Sequence, residues 1–168
     1  MKSAQGRLTS TPGHADTPQM SRILVVEDDG NVSYLLQRVL EGDGHEVLVA
    51  DDGSRGLAMA TRRRPDAIVL DIMMPFMDGF AVLEALREDE RTAATPVLML
   101  SAMQQESIEE RCYRLGAQGF IRKPFDPDIF LGFVQELLEA PPEIKTEYAE
   151  RRLREVPLAV TLAWRGGS

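Results

Sequence analysis

Five short apolar runs, each followed by a stretch whose apolar residues recur at helical spacing, limit most strongly what this chain can fold into. RILVV (22–26) precedes NVSYLLQRVLEGDG, where Val32, Leu35, Leu36, Val39 and Leu40 recur at helical spacing. HEVLVADDG precedes SRGLAMATRRR, with Leu57, Ala58 and Ala60 expected inward and Pro65 closing the helix. DAIVLD precedes FAVLEALREDE, PVLMLSA precedes QESIEERCYRLGA, and GFIRKPF precedes PDIFLGFVQELLEA. Asn31 can cap the first helix, and Pro127 suits the first turn of the last. No hairpin signal interrupts the alternation. Strands this apolar suit a sheet covered on both faces. The pattern predicts an α/β fold, doubly wound, with a five-stranded parallel sheet, helices on both faces and right-handed crossovers.

The alternation occupies residues 21–139 and predicts one domain there. Residues 1–20 are rich in Ser, Thr, Pro, Gly and Gln and read as a disordered leader. Residues 140–168 are charged and broken by Pro157. They read as an extension that can form one short helix over IKTEYAERRLREV, too short for a second core. A formal net charge of −8 argues against binding nucleic acid mainly by phosphate neutralisation. Cys112 is the only cysteine, so no intrachain disulfide can form. No apolar run is long enough to span a bilayer, and the N-terminus lacks the apolar stretch of a signal peptide. A soluble cytoplasmic protein is expected.

Ligands of open α/β sheets bind beyond the carboxyl ends of the strands, where the strand order reverses. The first strand delivers Glu27, Asp28 and Asp29 to that edge, and anchoring the strand end at Val26 leaves Asp29 as a turn residue or helix cap. The third delivers Asp71, the fourth Ser101, and the fifth Lys123 followed by Pro124. Packed carboxylates repel, and a divalent cation relieves the repulsion. An all-oxygen set with few protein ligands suits Mg²⁺ better than a Ca²⁺ cage. A cation there, with Lys123 and the Ser101 hydroxyl, would welcome a phosphoryl group, and Asp71 becomes a candidate nucleophile.

Four stretches in this order and spacing, ILVVEDD, IVLDIMMPFMDGF, PVLMLSA and GFIRKPF, resemble the response-regulator receiver domain of two-component signalling over about residues 21–139. The resemblance implies a flavodoxin-like sheet of order 2-1-3-4-5. It implies that a phosphohistidine on a histidine kinase or phosphotransfer protein donates its phosphoryl group to Asp71. Asp28 would bind Mg²⁺ directly, Glu27 would assist, and the main-chain carbonyl of Met73 would add a ligand. Ser101 and Lys123 would contact the phosphoryl group, and Phe120 holds the place of the switch aromatic. Lys123–Pro124 is commonly cis in the family. The family's switch surface falls at about residues 104–139, where a downstream protein or a second copy would bind. Serine at 101 keeps the hydroxyl of the commoner threonine. Phenylalanine at 120 keeps a ring and drops the OH of the frequent tyrosine.

Blander readings hold for other residues. Asp78 is expected to cap the next helix and Gly79 to permit its tight entry. Met73, Met74 and Met77 read as packing residues, Arg62–Arg64 as a solvated helix end, and Cys112 as a buried helix residue. His14 and His45 lack partners at metal-ligand spacing. The leading expectation is a stand-alone phosphoacceptor, with slow self-dephosphorylation but no enzymatic turnover. The alternative is the N-terminal receiver part of a longer DNA-binding transcriptional regulator. An aspartyl-phosphate phosphatase ranks lower, because that class resembles Asp-x-Asp at the nucleophile and Met73 stands two residues after Asp71.

Overall fold

The computed structural model describes residues 19–139. Residues 1–18, covering nearly all of the expected leader, and the expected extension at 140–168 lie outside the described residues. The elements alternate without exception: β1 (Arg22–Val26), α1 (Gly30–Gly42), β2 (Glu46–Ala50), α2 (Gly53–Arg63), β3 (Ala67–Asp71), α3 (Gly79–Glu88), β4 (Val97–Ser101), α4 (Glu106–Arg114), β5 (Gly119–Arg122) and α5 (Pro127–Glu139). All four strand pairings are parallel, in the order β2-β1-β3-β4-β5. The order expected from the resemblance is the order observed.

Side chains alternate across each strand, so the sheet feeds two cores. Ile23, Val25, Val69, Leu98 and Leu100 pack against Leu36 and Leu40 of α1 and Phe130 and Val134 of α5. Leu24, Val26, Ile68, Leu70 and Met99 face the other way, onto Ala60 of α2, Leu83 and Leu86 of α3, and Cys112 of α4. Fully burying each such aliphatic side chain contributes about 1.5–3 kcal/mol. The central strands β3 and β4 are buried at every position, whereas edge strand β2 is half-buried along most of its length.

Two local expectations need correction. Asn31 does not cap α1; Asp29 does, its side chain accepting hydrogen bonds from the Asn31 and Val32 amides. A carboxylate one residue before the helix reaches these free amides, and Asn31 already lies inside the first turn. Ala58 is exposed, and the buried line of α2 is Gly53, Gly56 and Ala60. Glycine is required there: a Cβ at Gly56 would lie 2.7 Å from the Val26 side chain. Small residues thus let α2 lie close to β1 where the apolar pattern suggested a leucine-led face. Asp52 and Asp78 cap α2 and α3 in the manner of Asp29.

Arg87, near the end of α3, is a half-buried cation at the opposite edge of the sheet. Its guanidinium donates to the carbonyls of Gly116, Thr92 and Thr95 and to the Gln118 side-chain oxygen. Gln118 in turn accepts from the Val97 amide. Burial pushes Arg87 down to about 10, which leaves it charged at neutral pH. This network ties α3 to the loops that start β4 and β5.

Candidate functional site

The chain leaves β1 toward β2 on one side and returns through β3 on the other. The carboxyl ends of β1 and β3 therefore flank the crevice at the reversal point. Val26 pairs with Leu70, so Glu27 lies level with Asp71. Asp71 pairs with Leu100, and Ser101 with Arg122, so Ser101 and Lys123 follow one step farther along the same edge. Glu27, Asp28 and Asp71 each bring a carboxylate oxygen within 4.8 Å of the others. Glu27 is 1% and Asp71 3% exposed, whereas Asp28 faces solvent. The third acid of the run is drawn away: Asp29 caps α1, and its amide donates to Glu27 Oε1.

Lys123 enters this cluster from the end of β5. Its Nζ lies 2.6 Å from Glu27 Oε2 and 3.0 Å from Asp71 Oδ1. The pairing with Glu27 was not anticipated; two buried carboxylates so close together draw a cation to both. Burial raises the pKa of Asp71, which Lys123 opposes and Asp28 reinforces. Burial likewise raises Glu27, with Lys123 opposing and the Asp71 charge adding to the rise. Burial disfavours the Lys123 ammonium, but its bonds to Glu27 and Asp71 together outweigh that, and its pKa rises. The Lys123–Pro124 peptide is cis.

Ser101 is fully buried at the end of β4, and its Oγ accepts the Met103 amide at 2.9 Å. Phe120 is buried in β5, paired with Met99. Met73 is not the packing residue expected: it lies on the rim and is 59% exposed, while Met74 turns inward and is buried. Gly79 has a role beyond an easy helix start. A Cβ there would lie 2.3 Å from the Asp71 carbonyl oxygen, so only glycine lets α3 begin against the backbone of the acidic residue. The Gly79 amide donates to the Ile72 carbonyl at 2.8 Å.

Sequence reasoning missed two neighbours of this site. Arg111 of α4 stacks its guanidinium 3.9 Å from the Phe80 ring centroid, closing α4 onto the start of α3. Phe76, in the loop after Asp71, adopts φ 67 and is fully exposed. Nothing in the spacing announces either feature, since both depend on where separate segments meet.

The response regulator receiver domain model matches residues 23–135. Protein PilH of Pseudomonas aeruginosa is 36% identical over 119 residues, covering 71% of this chain and 98% of PilH. The DNA-binding dual master transcriptional regulator RpaA of Synechocystis is 44% identical over 119 residues, which is 71% of this chain but only 49% of RpaA. The chain thus spans nearly all of one relative and about half of the other. Among solved structures, the receiver domain of sensor histidine kinase PA1611 from Pseudomonas aeruginosa, described with a magnesium ion coordinated in its active-site cleft, superimposes with a TM-score of 0.67. It is 26% identical, with 72% of this chain and 99% of that one covered. This chain belongs to the response regulator receiver domains of two-component systems. Its Glu27, Asp28 and Asp71 cluster is consistent with the magnesium site of that family. Among the described residues, no helix is long and apolar enough to cross a membrane.

Proposed function

We propose that Asp71 accepts a phosphoryl group from a phosphohistidine of a histidine kinase or phosphotransfer protein, in a Mg²⁺-dependent reaction. The observation that carries this reading is the buried Asp71 carboxylate, set within 4.8 Å of Glu27 and Asp28 and 3.0 Å from Lys123. Asp28 and Asp71, with Glu27 assisting and the Met73 carbonyl adding a ligand, would hold the cation. When bound, the cation neutralises charge on the transferring group and on the carboxylates around it.

The remaining work falls to the chain's own residues. A carboxylate oxygen of Asp71 forms the new bond to phosphorus as the bond from phosphorus to the imidazole nitrogen breaks. The imidazole leaves with the electron pair and takes up a proton, and an acyl phosphate remains on Asp71. Lys123 already lies against Asp71 and can swing its ammonium onto a phosphoryl oxygen. Ser101 offers its hydroxyl, and breaking its contact with the Met103 amide would couple the pocket to α4. Phe120, behind β5, is the residue expected to repack when Ser101 moves. Phosphorylation adds about −1.5 to −2 charge and biases an equilibrium between two conformations. The α4–β5–α5 face, within residues 104–139, would read the change by contact with a protein target or a second copy.

The protein is a phosphoacceptor and not a turnover enzyme. With Met73 two residues after Asp71, no acid stands there to speed hydrolysis, and loss of the phosphoryl group is slow self-hydrolysis. The near-complete coverage of PilH supports a receiver acting alone, and the cytoplasm is its proposed location. The match to half of RpaA supports the second reading, a receiver part of a DNA-binding regulator. Incubation with acetyl phosphate and Mg²⁺, followed by intact mass, tests the chemistry. The expected result is a gain of one phosphoryl group, absent in Asp71→Asn and abolished by chelator. An unmodified wild-type chain overturns the reading.

A further inference from the structure

The loop after Asp71 carries a cost that the pocket itself does not repay. Phe76 sits at φ 67, a conformation that disfavours bulky side chains, and its ring is fully exposed. Strain of this kind persists where a function retains it. Beside this loop, an open groove of about 490 Å³ runs between the β3–α3 loop and α4. Met74, Phe80, Met103 and Ile108 supply apolar lining, and Arg111 lines it while stacked on Phe80. The exposed Met73 lines the same groove, and Phe76 directly follows its lining residue Pro75 in the chain; exposed apolar surface of this kind marks a contact site.

We propose that this groove is the docking site of residues 157–164 of the same chain, PLAVTLAW, with Trp164 seated by Arg111 and Phe80. Three observations select this occupant. First, 157–164 carries no charge and is apolar at every position except Thr161, whereas residues 1–18 contain no comparable run. Second, the reach is sufficient. α5 ends at Glu139, and residues 140–156 can extend about 56 Å at about 3.3 Å per residue. A domain of this size has a radius of gyration of only about 14 Å. Third, the charges match. The outer face of the Arg111 guanidinium favours an aromatic ring. Arg165, next to Trp164, would be carried toward Asp78, the exposed carboxylate of the groove lining.

Trp164 is the only tryptophan, so its emission reports the contact directly. The experiment compares acrylamide quenching and emission maximum in the full chain with those of a synthetic peptide of residues 157–168, without phosphodonor. Docking predicts a blue-shifted emission and severalfold weaker quenching in the full chain, independent of protein concentration. Phe76→Asn removes the ring at a φ that asparagine tolerates, and Arg111→Gln removes the exposed cation; both folds should survive, as checked by circular dichroism. Each should move Trp164 toward the peptide's values. Peptide-like quenching in the wild-type chain overturns the proposal, as does shielding that neither variant changes. Shielding that disappears on dilution assigns the groove to a second copy and overturns the intramolecular contact. Because no phosphoryl transfer is involved, this result and the phosphorylation result stand or fall separately.

Discussion

Lys123→Met removes the cation that two buried carboxylates share. With an effective dielectric of about 20, contacts of 2.6 and 3.0 Å correspond to gross attractions of about 6 kcal/mol each. The Glu27–Asp71 repulsion, at no more than 4.8 Å, opposes them by about 3.5 kcal/mol. Most of the gross attraction offsets desolvation, so the measurable cost is that of leaving buried charge unpaired, about 3–5 kcal/mol. Protonation of one carboxylate would relieve part of it, which places the expectation near 3 kcal/mol. For a domain of this size that lowers Tm by about 10–15 °C. The assay is urea and thermal unfolding near neutral pH in chelator. Adding Mg²⁺ should recover part of the loss, and Asp71→Asn in the Lys123→Met background should recover about 1–2 kcal/mol. The pH dependence has a definite sign. Glu27 and Asp71 both have folded pKa values above the ordinary carboxylate range. Their contribution to stability is therefore fully present below the unfolded pKa and is lost as pH rises through the folded pKa. The cost of Lys123→Met should accordingly shrink as pH falls toward the carboxylate range. A Lys123→Met protein within about 1 kcal/mol of wild type near neutral pH would refute this account of the cluster.

Arg87→Met should cost about 1–3 kcal/mol in urea unfolding, because the half-buried Gly116 carbonyl and the buried Gln118 oxygen lose their donor. Amide exchange should accelerate first at the starts of β4 and β5, which that network joins. Gly79→Ala should cost about 1–3 kcal/mol and abolish phosphoryl uptake, since its Cβ must displace the Asp71 and Ile72 backbone. Gly42→Ala, with open space around its added Cβ, is the control and should be neutral or stabilising in the same assay.

Much of the fold was legible because its signals are local. β3 and β4 read as uninterrupted apolar runs because both their faces are covered, and that pattern pointed to a sheet with helices on both sides. The acids and the lysine were legible as a site because each ends a strand and the strands are parallel. All their ends then meet at one edge. The errors lie where a local rule met a tertiary contact. Ala58 fits an inward helical position by its apolarity, yet α2 approaches β1 on Gly56 and meets Met77 and Val82 on Gly53, and its third buried residue is Ala60. Asn31 is a good capping residue, yet α1 begins at Gly30, two residues before the helix Asn31 could cap.

The sequence by itself determined the period of each segment, the order of strands and helices, and which residues stand at strand ends, because these follow from side-chain chemistry along the chain. Only the tertiary structure decided that Lys123 serves Glu27 as well as Asp71. It alone placed Arg87 among carbonyls of two loops and Arg111 on Phe80. Charge balance, desolvation and packing act through space, and a pair 96 residues apart, such as Glu27 and Lys123, meets only when the whole sheet has formed.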